Sequence, residues 1–107
     1  MTGPEIVRLS KVERRILARF RALGGESYGL ELVRTSEGAL KPGPIYQHLQ
    51  NLCRRGFIEP TVTHRAPKGE SGPQRMRYRT TAYGQRVLAN VEQLEASLKD
   101  AIAKRQR

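Results

Sequence analysis

Three short helices with apolar stripes, a strand pair rich in basic residues, and a long helix with heptad-like apolar spacing follow one another along 107 residues. That order predicts a mainly α (α+β) fold, a winged helix-turn-helix with a long C-terminal dimerisation helix. The length suits one DNA-binding domain over residues 1–81 and an extension over 82–107.

Helix 1 is expected over residues 10–23. Leu9, Val12, Ile16, Leu17, Phe20 and Leu23 recur at i, i+3, i+4. Ser10 with Glu13 three residues on forms a capping box, and Gly24-Gly25 supplies the stop. A short helix 2 is expected over 27–34, burying Leu30 and Val33. Helix 3, about 43–55, opens at Gly43-Pro44, carries Ile45, Leu49, Leu52 and Cys53 as its stripe, and closes at Gly56. The wing, 57–80, begins at Phe57-Ile58, with Pro60 confining part of that strand to an edge. It returns through Arg75-Met76-Arg77-Tyr78-Arg79-Thr80, where basic residues alternate with apolar or smaller ones. Thr81 caps helix 4. Its Tyr83, Val87, Val91, Leu94, Leu98, Ala101 and Ile102 form a seam for a second copy, widened by Leu88. At roughly 34 Å such a helix outruns a core of this size, and an uncovered apolar seam would be a liability in a monomer.

Composition narrows the chemistry. Lys and Arg number 20 against 10 Asp and Glu, a formal net charge of +10, which favours a polyanionic partner. Between Lys41 and Thr81 eight Lys and Arg face two acids. No apolar run approaches the ~20 residues of a membrane span, so no membrane insertion is expected. The start, Met1-Thr2-Gly3-Pro4-Glu5, lacks the build of a secretory signal. One cysteine excludes an internal disulfide, and with two histidines it cannot complete a zinc finger, so no metal site is expected. Scattered acids, with neither a nucleophile–base pairing nor a glycine-rich phosphate loop, leave no catalytic residues and no cofactor to assign. A cytoplasmic location is the expectation.

The candidate site lies on helix 3. At 100° per residue the face opposite Ile45, Leu49 and Leu52 carries Gln47, Gln50, Asn51 and Arg54. Gln and Asn can pair bidentately with adenine, and Arg with guanine. Arg65, Lys68, Arg75 and Arg77 on the wing are expected on phosphates, although charges on an edge strand can equally guard against aggregation. For Arg55 a helix-dipole role is the preferred reading. Cys53 reads as a small buried hydrophobe, and His48 and His64 as surface residues.

The order of these pieces resembles the PadR family of bacterial transcriptional regulators. The resemblance runs through Tyr28-Gly29, then Gly43-Pro44-Ile45-Tyr46-Gln47-His48-Leu49-Gln50-Asn51-Leu52. It continues through Arg54-Arg55-Gly56-Phe57-Ile58, then Arg77-Tyr78-Arg79-Thr80-Thr81 and Gly84, and covers roughly residues 9 to 90. The resemblance implies a short-form member with a single C-terminal helix, a homodimer that binds double-stranded DNA, commonly as a repressor. Lys41 and Pro44, at the start of helix 3, also belong to the DNA-facing set, Pro44 standing where a Ser or Thr is usual in that family. For Tyr46 the resemblance implies a hydroxyl on phosphate, where the apolar stripe allows a half-buried packing tyrosine; both stand. It further implies a small hydrophobic effector in a cavity between helix 1 and paired helix 4, with Ile6, Phe20, Val91 and Leu94 as its lining. The rival from another class is a winged-helix RNA-binding or protein-interaction module.

Overall fold

The computed structural model describes residues 8–61 and 76–105. The elements run α1 (Lys11–Ala22), β1 (Glu26–Tyr28), α2 (Gly29–Thr35), α3 (Pro42–Arg54), β2 (Ile58–Pro60), β3 (Arg77–Thr80) and α4 (Ala82–Arg105). The fold is mainly helical, with a three-stranded antiparallel sheet in the order β1-β3-β2.

Helix α1 begins on the expected capping box. Glu13 N–H donates to Ser10 Oγ at 3.1 Å, and Ser10 N–H donates to Glu13 Oε1 at 2.8 Å. It ends in a Schellman turn: Gly25 N–H reaches the Phe20 carbonyl and Gly24 N–H that of Arg21, with Gly24 at φ 89°. The same motif closes α3, where Phe57 N–H reaches the Leu52 carbonyl, Gly56 N–H that of Cys53, and Gly56 sits at φ 79°. Helix α3 opens one residue earlier than expected. Pro42 is its first residue and Pro44 its third, so two of the donors left unpaired at any helix start are simply missing.

Helix α2 starts two residues later than expected because Glu26–Tyr28 is a strand. These residues pair with β3 in the register Glu26↔Arg79, Ser27↔Tyr78 and Tyr28↔Arg77. Three residues carry too little alternation to be read as a strand without their partner. Strand β2 pairs with the other side of β3 through Ile58↔Thr80, Glu59↔Arg79 and Pro60↔Tyr78, leaving Pro60 on the expected edge strand. The extension of that strand toward Thr63 or His64 lies outside the described residues.

One core joins all three layers. Ile16, Leu17 and Phe20 of α1 meet Leu32 of α2, Ile45, Leu49 and Leu52 of α3, Phe57, Ile58 and Tyr78 beside the sheet, and Val87 and Leu88 of α4. Leu30, expected inside, is exposed, and Leu32 takes the buried place on α2. Thr81 caps α4 as expected, accepting from Gly84 N–H at 2.9 Å while its hydroxyl donates to the Gly56 carbonyl at 2.7 Å.

Candidate nucleic-acid interface

The core seats α3 by Ile45, Leu49 and Leu52 and turns its opposite face outward. Gln47, Gln50, Asn51 and Arg54, all exposed, line one open groove of about 380 Å3 on that face, together with half-buried His48. The groove is thus the stripe expected from 100° periodicity. Arg54 is held by its neighbour one turn back, Nη1 donating to Asn51 Oδ1 at 3.2 Å. Lys41 and Pro44 are exposed at the helix start.

Tyr46 takes the packing option among described contacts. Its ring lies on Gly29, where a Cβ would come within 2.7 Å of the ring, which accounts for the glycine in Tyr28-Gly29. Its hydroxyl oxygen is buried and, among the described residues, without a hydrogen-bond partner. A buried hydroxyl reaches a phosphate only if the ring moves.

The wing arginines are less free than alternation alone suggests. Arg77 Nε donates to Glu26 at 2.9 Å, and its guanidinium lies over the Tyr28 ring, 5.6 Å from the centroid. Arg79 Nε donates to Glu59 at 2.8 Å. Both pairs are solvent-exposed, so each is worth little by itself and leaves the arginines able to exchange partners. Arg34, from the last turn of α2, donates to the Tyr28 hydroxyl at 3.1 Å and so joins Arg77 around one tyrosine. Sequence reading passed over Arg34, since its place beside the wing depends on the unforeseen strand β1. Arg65, Lys68 and Arg75 lie outside the described residues.

Helix α4 divides the expected seam. Val87, only 5% exposed, and Leu88 belong to the core of their own domain, Val91 is half-buried against it, and Tyr83 packs on Phe57 with ring centroids 5.4 Å apart. Val87 therefore has almost no surface left for a partner, a correction to the seam read from spacing alone. Beyond the domain Leu94, Leu98 and Ile102 are 62%, 55% and 55% exposed, with Ala101 exposed beside them. Two solvent-exposed ion pairs bridge this helix to α1. Arg21 grips Glu92 with two bonds of 2.7 Å, and Arg14 meets Glu95 at 2.9 Å. The Arg21 hydrogen bond outweighs the modest cost of burial and holds the Glu92 carboxyl below its ordinary 4.5.

A cavity of about 380 Å3 opens between α1 and α4, lined by Leu17, Arg21, Thr80, Gln85, Leu88 and Ala89 with three glycines. Of the expected lining residues, the three that are described do not line it. Phe20 is fully buried in the core, Leu94 lies far along the exposed part of α4, Val91 is absent from the lining, and Ile6 lies outside the described residues. Burial pushes the Cys53 thiol above its ordinary 9.0, in keeping with an inert packing residue. Among the described residues no group of His, Cys, Asp and Glu could hold a metal ion, and no helix is long and apolar enough to cross a membrane.

Three helices, a twisted three-stranded sheet and a presented third helix define the winged helix-turn-helix class. Residues 17–90 match the model of the PadR-like family of transcriptional regulators, and the chain belongs to that family. Among solved structures it is similar to a PadR family transcriptional regulator from Eggerthella lenta, at 26% identity and a TM-score of 0.64, covering 88% of this chain and 85% of that one. A Streptococcus mutans protein shares the fold at 22% identity and a TM-score of 0.62, covering 87% and 86% of the two chains. So does a transcriptional regulator from Clostridium thermocellum, at 21% identity and a TM-score of 0.59, with 85% of each chain covered. No curated protein matches the sequence.

Proposed function

We propose that the protein is a cytoplasmic repressor that binds double-stranded DNA as a homodimer, with α3 of each copy in successive major grooves of a pseudo-palindromic operator. The observation that carries this reading is the α3 groove. Its outward face presents Gln47, Gln50, Asn51 and Arg54 and no acidic residue, where an ordinary solvated helix would show Glu and Lys pairs. Lys41 and the wing residues Arg65, Lys68, Arg75 and Arg77 act on phosphates, joined by Arg34, while Pro44, with no N–H to donate, packs against the DNA backbone; Arg77 exchanges Glu26 for a phosphate on binding. Leu94, Leu98, Ala101 and Ile102 of two copies cover one another, which sets half-sites about 10 base pairs apart. A small hydrophobic effector enters between α1 and α4, where the cavity touches both the sheet end at Thr80 and the root of the dimer helix.

Selection from random duplex DNA tests the reading directly. The expected outcome is a two-fold symmetric motif with one helical turn between half-sites. Replacing Gln47 or Asn51 with Ala relaxes the selected sequence, whereas replacing Arg75 or Arg77 weakens all duplexes alike and flattens the salt dependence. Enrichment of no motif, with tighter binding to structured RNA than to duplex DNA at equal salt, would replace this reading with an RNA-binding one.

A further inference from the structure

The arginine pair Arg54-Arg55 at the end of the reading helix looks, by charge and position, like two phosphate anchors. The geometry separates them. Arg54 is exposed and bonds only to Asn51 of its own helix among described contacts. Arg55 points back across the domain. Its Nη1 donates to Glu13 Oε2 at 2.7 Å, its Nη2 donates to the Arg8 carbonyl at 2.6 Å, and its guanidinium plane lies over the Phe57 ring at 4.6 Å.

We propose that Arg55 is not a DNA contact but a positioning residue, which with Glu13 ties the C-terminal end of α3 to the N-terminal end of α1 and so sets the angle at which the reading face is presented. The proposal rests on the DNA-binding reading given above.

Three observations support it. Glu13 is only 6% exposed, and both its oxygens are committed, Oε1 to the Ser10 N–H of the capping box and Oε2 to Arg55. A buried carboxylate demands such a partner, because removing one member of the pair leaves the other charge uncompensated. Burial pushes the Glu13 carboxyl up, yet the bonds from Arg55 and Ser10 and the Arg55 charge more than offset that and hold it below its ordinary 4.5. Second, both terminal nitrogens of Arg55 bond within the protein and one face is stacked, so although the residue lies at the exposed surface a phosphate would have to displace one of these partners. Third, the connection leads onward: α1 packs on α4 through the shared core of Leu17, Phe20, Val87 and Leu88, with the solvent-exposed pairs Arg14–Glu95 and Arg21–Glu92 alongside. Arg55 thereby joins the reading helix to the same rigid element that carries the exposed Leu94, Leu98 and Ile102. A small tilt of α3 would misalign both half-sites at once, and misplacement harms base contacts far more than phosphate contacts, which tolerate sliding.

The test compares the selected operator with a non-cognate duplex of equal length, over a series of KCl concentrations, using the full chain and variants shown to be folded by circular dichroism. R55M keeps an aliphatic stem on Phe57 and removes the charge. It is expected to lower the operator to non-cognate affinity ratio about tenfold, equivalent to about 1.4 kcal/mol, with non-cognate affinity and the salt slope unchanged. E13Q, which alters no basic residue, is expected to move the ratio in the same direction by less, since its amide oxygen still accepts one bond. The double variant is expected to lose no more than R55M, and R55K to rescue little, a lysine being unable to span both partners. R54A, which removes a base contact, is expected to relax the selected sequence at one position. Overturning results are an R55M slope flattened by about one unit with both duplexes weakened equally, or an E13Q ratio equal to wild type. Should R55M fail to fold, the E13Q ratio decides. A wild-type chain that binds no duplex overturns the regulatory reading and this proposal with it, whereas normal wild-type binding with a flattened R55M slope overturns this proposal alone.

Discussion

Replacing Gly84 with alanine sets two physical effects against each other. Gly84 is the third residue of α4, and helix propensity favours alanine over glycine by about 1 kcal/mol in a helix interior. The packing says the opposite. A Cβ at this position would fall on the Phe57 carbonyl oxygen and come within 2.9 Å of its carbonyl carbon and 3.0 Å of its Cα. All three are backbone atoms, so no side chain can swing aside. The same carbonyl accepts from Thr81 N–H at 3.0 Å and from the Thr81 hydroxyl at 3.2 Å, so moving it loosens the cap of α4 as well. Overpacking costs about 1–3 kcal/mol and each weakened hydrogen bond about 1 kcal/mol. Net of propensity, Gly84→Ala is expected to destabilise by about 2 kcal/mol, or on the order of 10 °C in Tm for a domain of this size. Urea unfolding at fixed protein concentration measures it, the concentration being held because self-association of the kind proposed would add to stability. A variant as stable as wild type, or more stable, would refute the reasoning, since it would mean that α4 can move off Phe57 without loss.

Three further outcomes follow from the same contacts. Leu98→Glu places a charge in the exposed stretch of α4 and is expected to yield a folded monomer by light scattering with unchanged far-ultraviolet circular dichroism; a dimer of wild-type stability would contradict the pairing. Tyr46→Phe removes a hydroxyl that is buried without a partner among the described residues, so it is expected to leave stability equal or higher by up to about 1 kcal/mol and to leave DNA affinity intact. A marked loss of affinity would show that the hydroxyl swings out to a phosphate. Finally, Glu13 has its carboxyl held below its ordinary 4.5, with Arg55 as the principal stabilising partner. A depressed carboxylate stabilises the fold above its unfolded pKa, and that contribution is lost as pH falls through 4.5 toward the folded value. The urea midpoint is expected to fall below about pH 5, and E13Q to flatten that acid limb; identical acid limbs would remove Glu13 as a cause.

Much of the fold was legible because the signals were local. The capping box at Ser10 and Glu13, the glycine stop after Leu23 and the stripe Ile45, Leu49, Leu52 are set by residues within two turns of one another. The reading groove was legible for the same reason, since helical geometry alone groups Gln47, Gln50, Asn51 and Arg54. Strand β1 was not, because Glu26–Tyr28 becomes a strand only by pairing with β3, some fifty residues on. That one omission displaced the start of α2 and hid the meeting of Arg34, Tyr28 and Arg77.

The sequence by itself determined which helices form, which face of α3 is polar, and where the basic charge lies, because propensity, capping and periodicity act over a few residues. Only the tertiary structure decided how each charge and apolar group is used. It sent Val87 inward and left Leu98 outside, because the domain ends partway along α4. It separated Arg54 from its neighbour Arg55, because a buried carboxylate forty-two positions away in the chain needs a cation beside it. Chain neighbours share a local geometry, but burial and charge balance are settled by whatever the fold brings alongside.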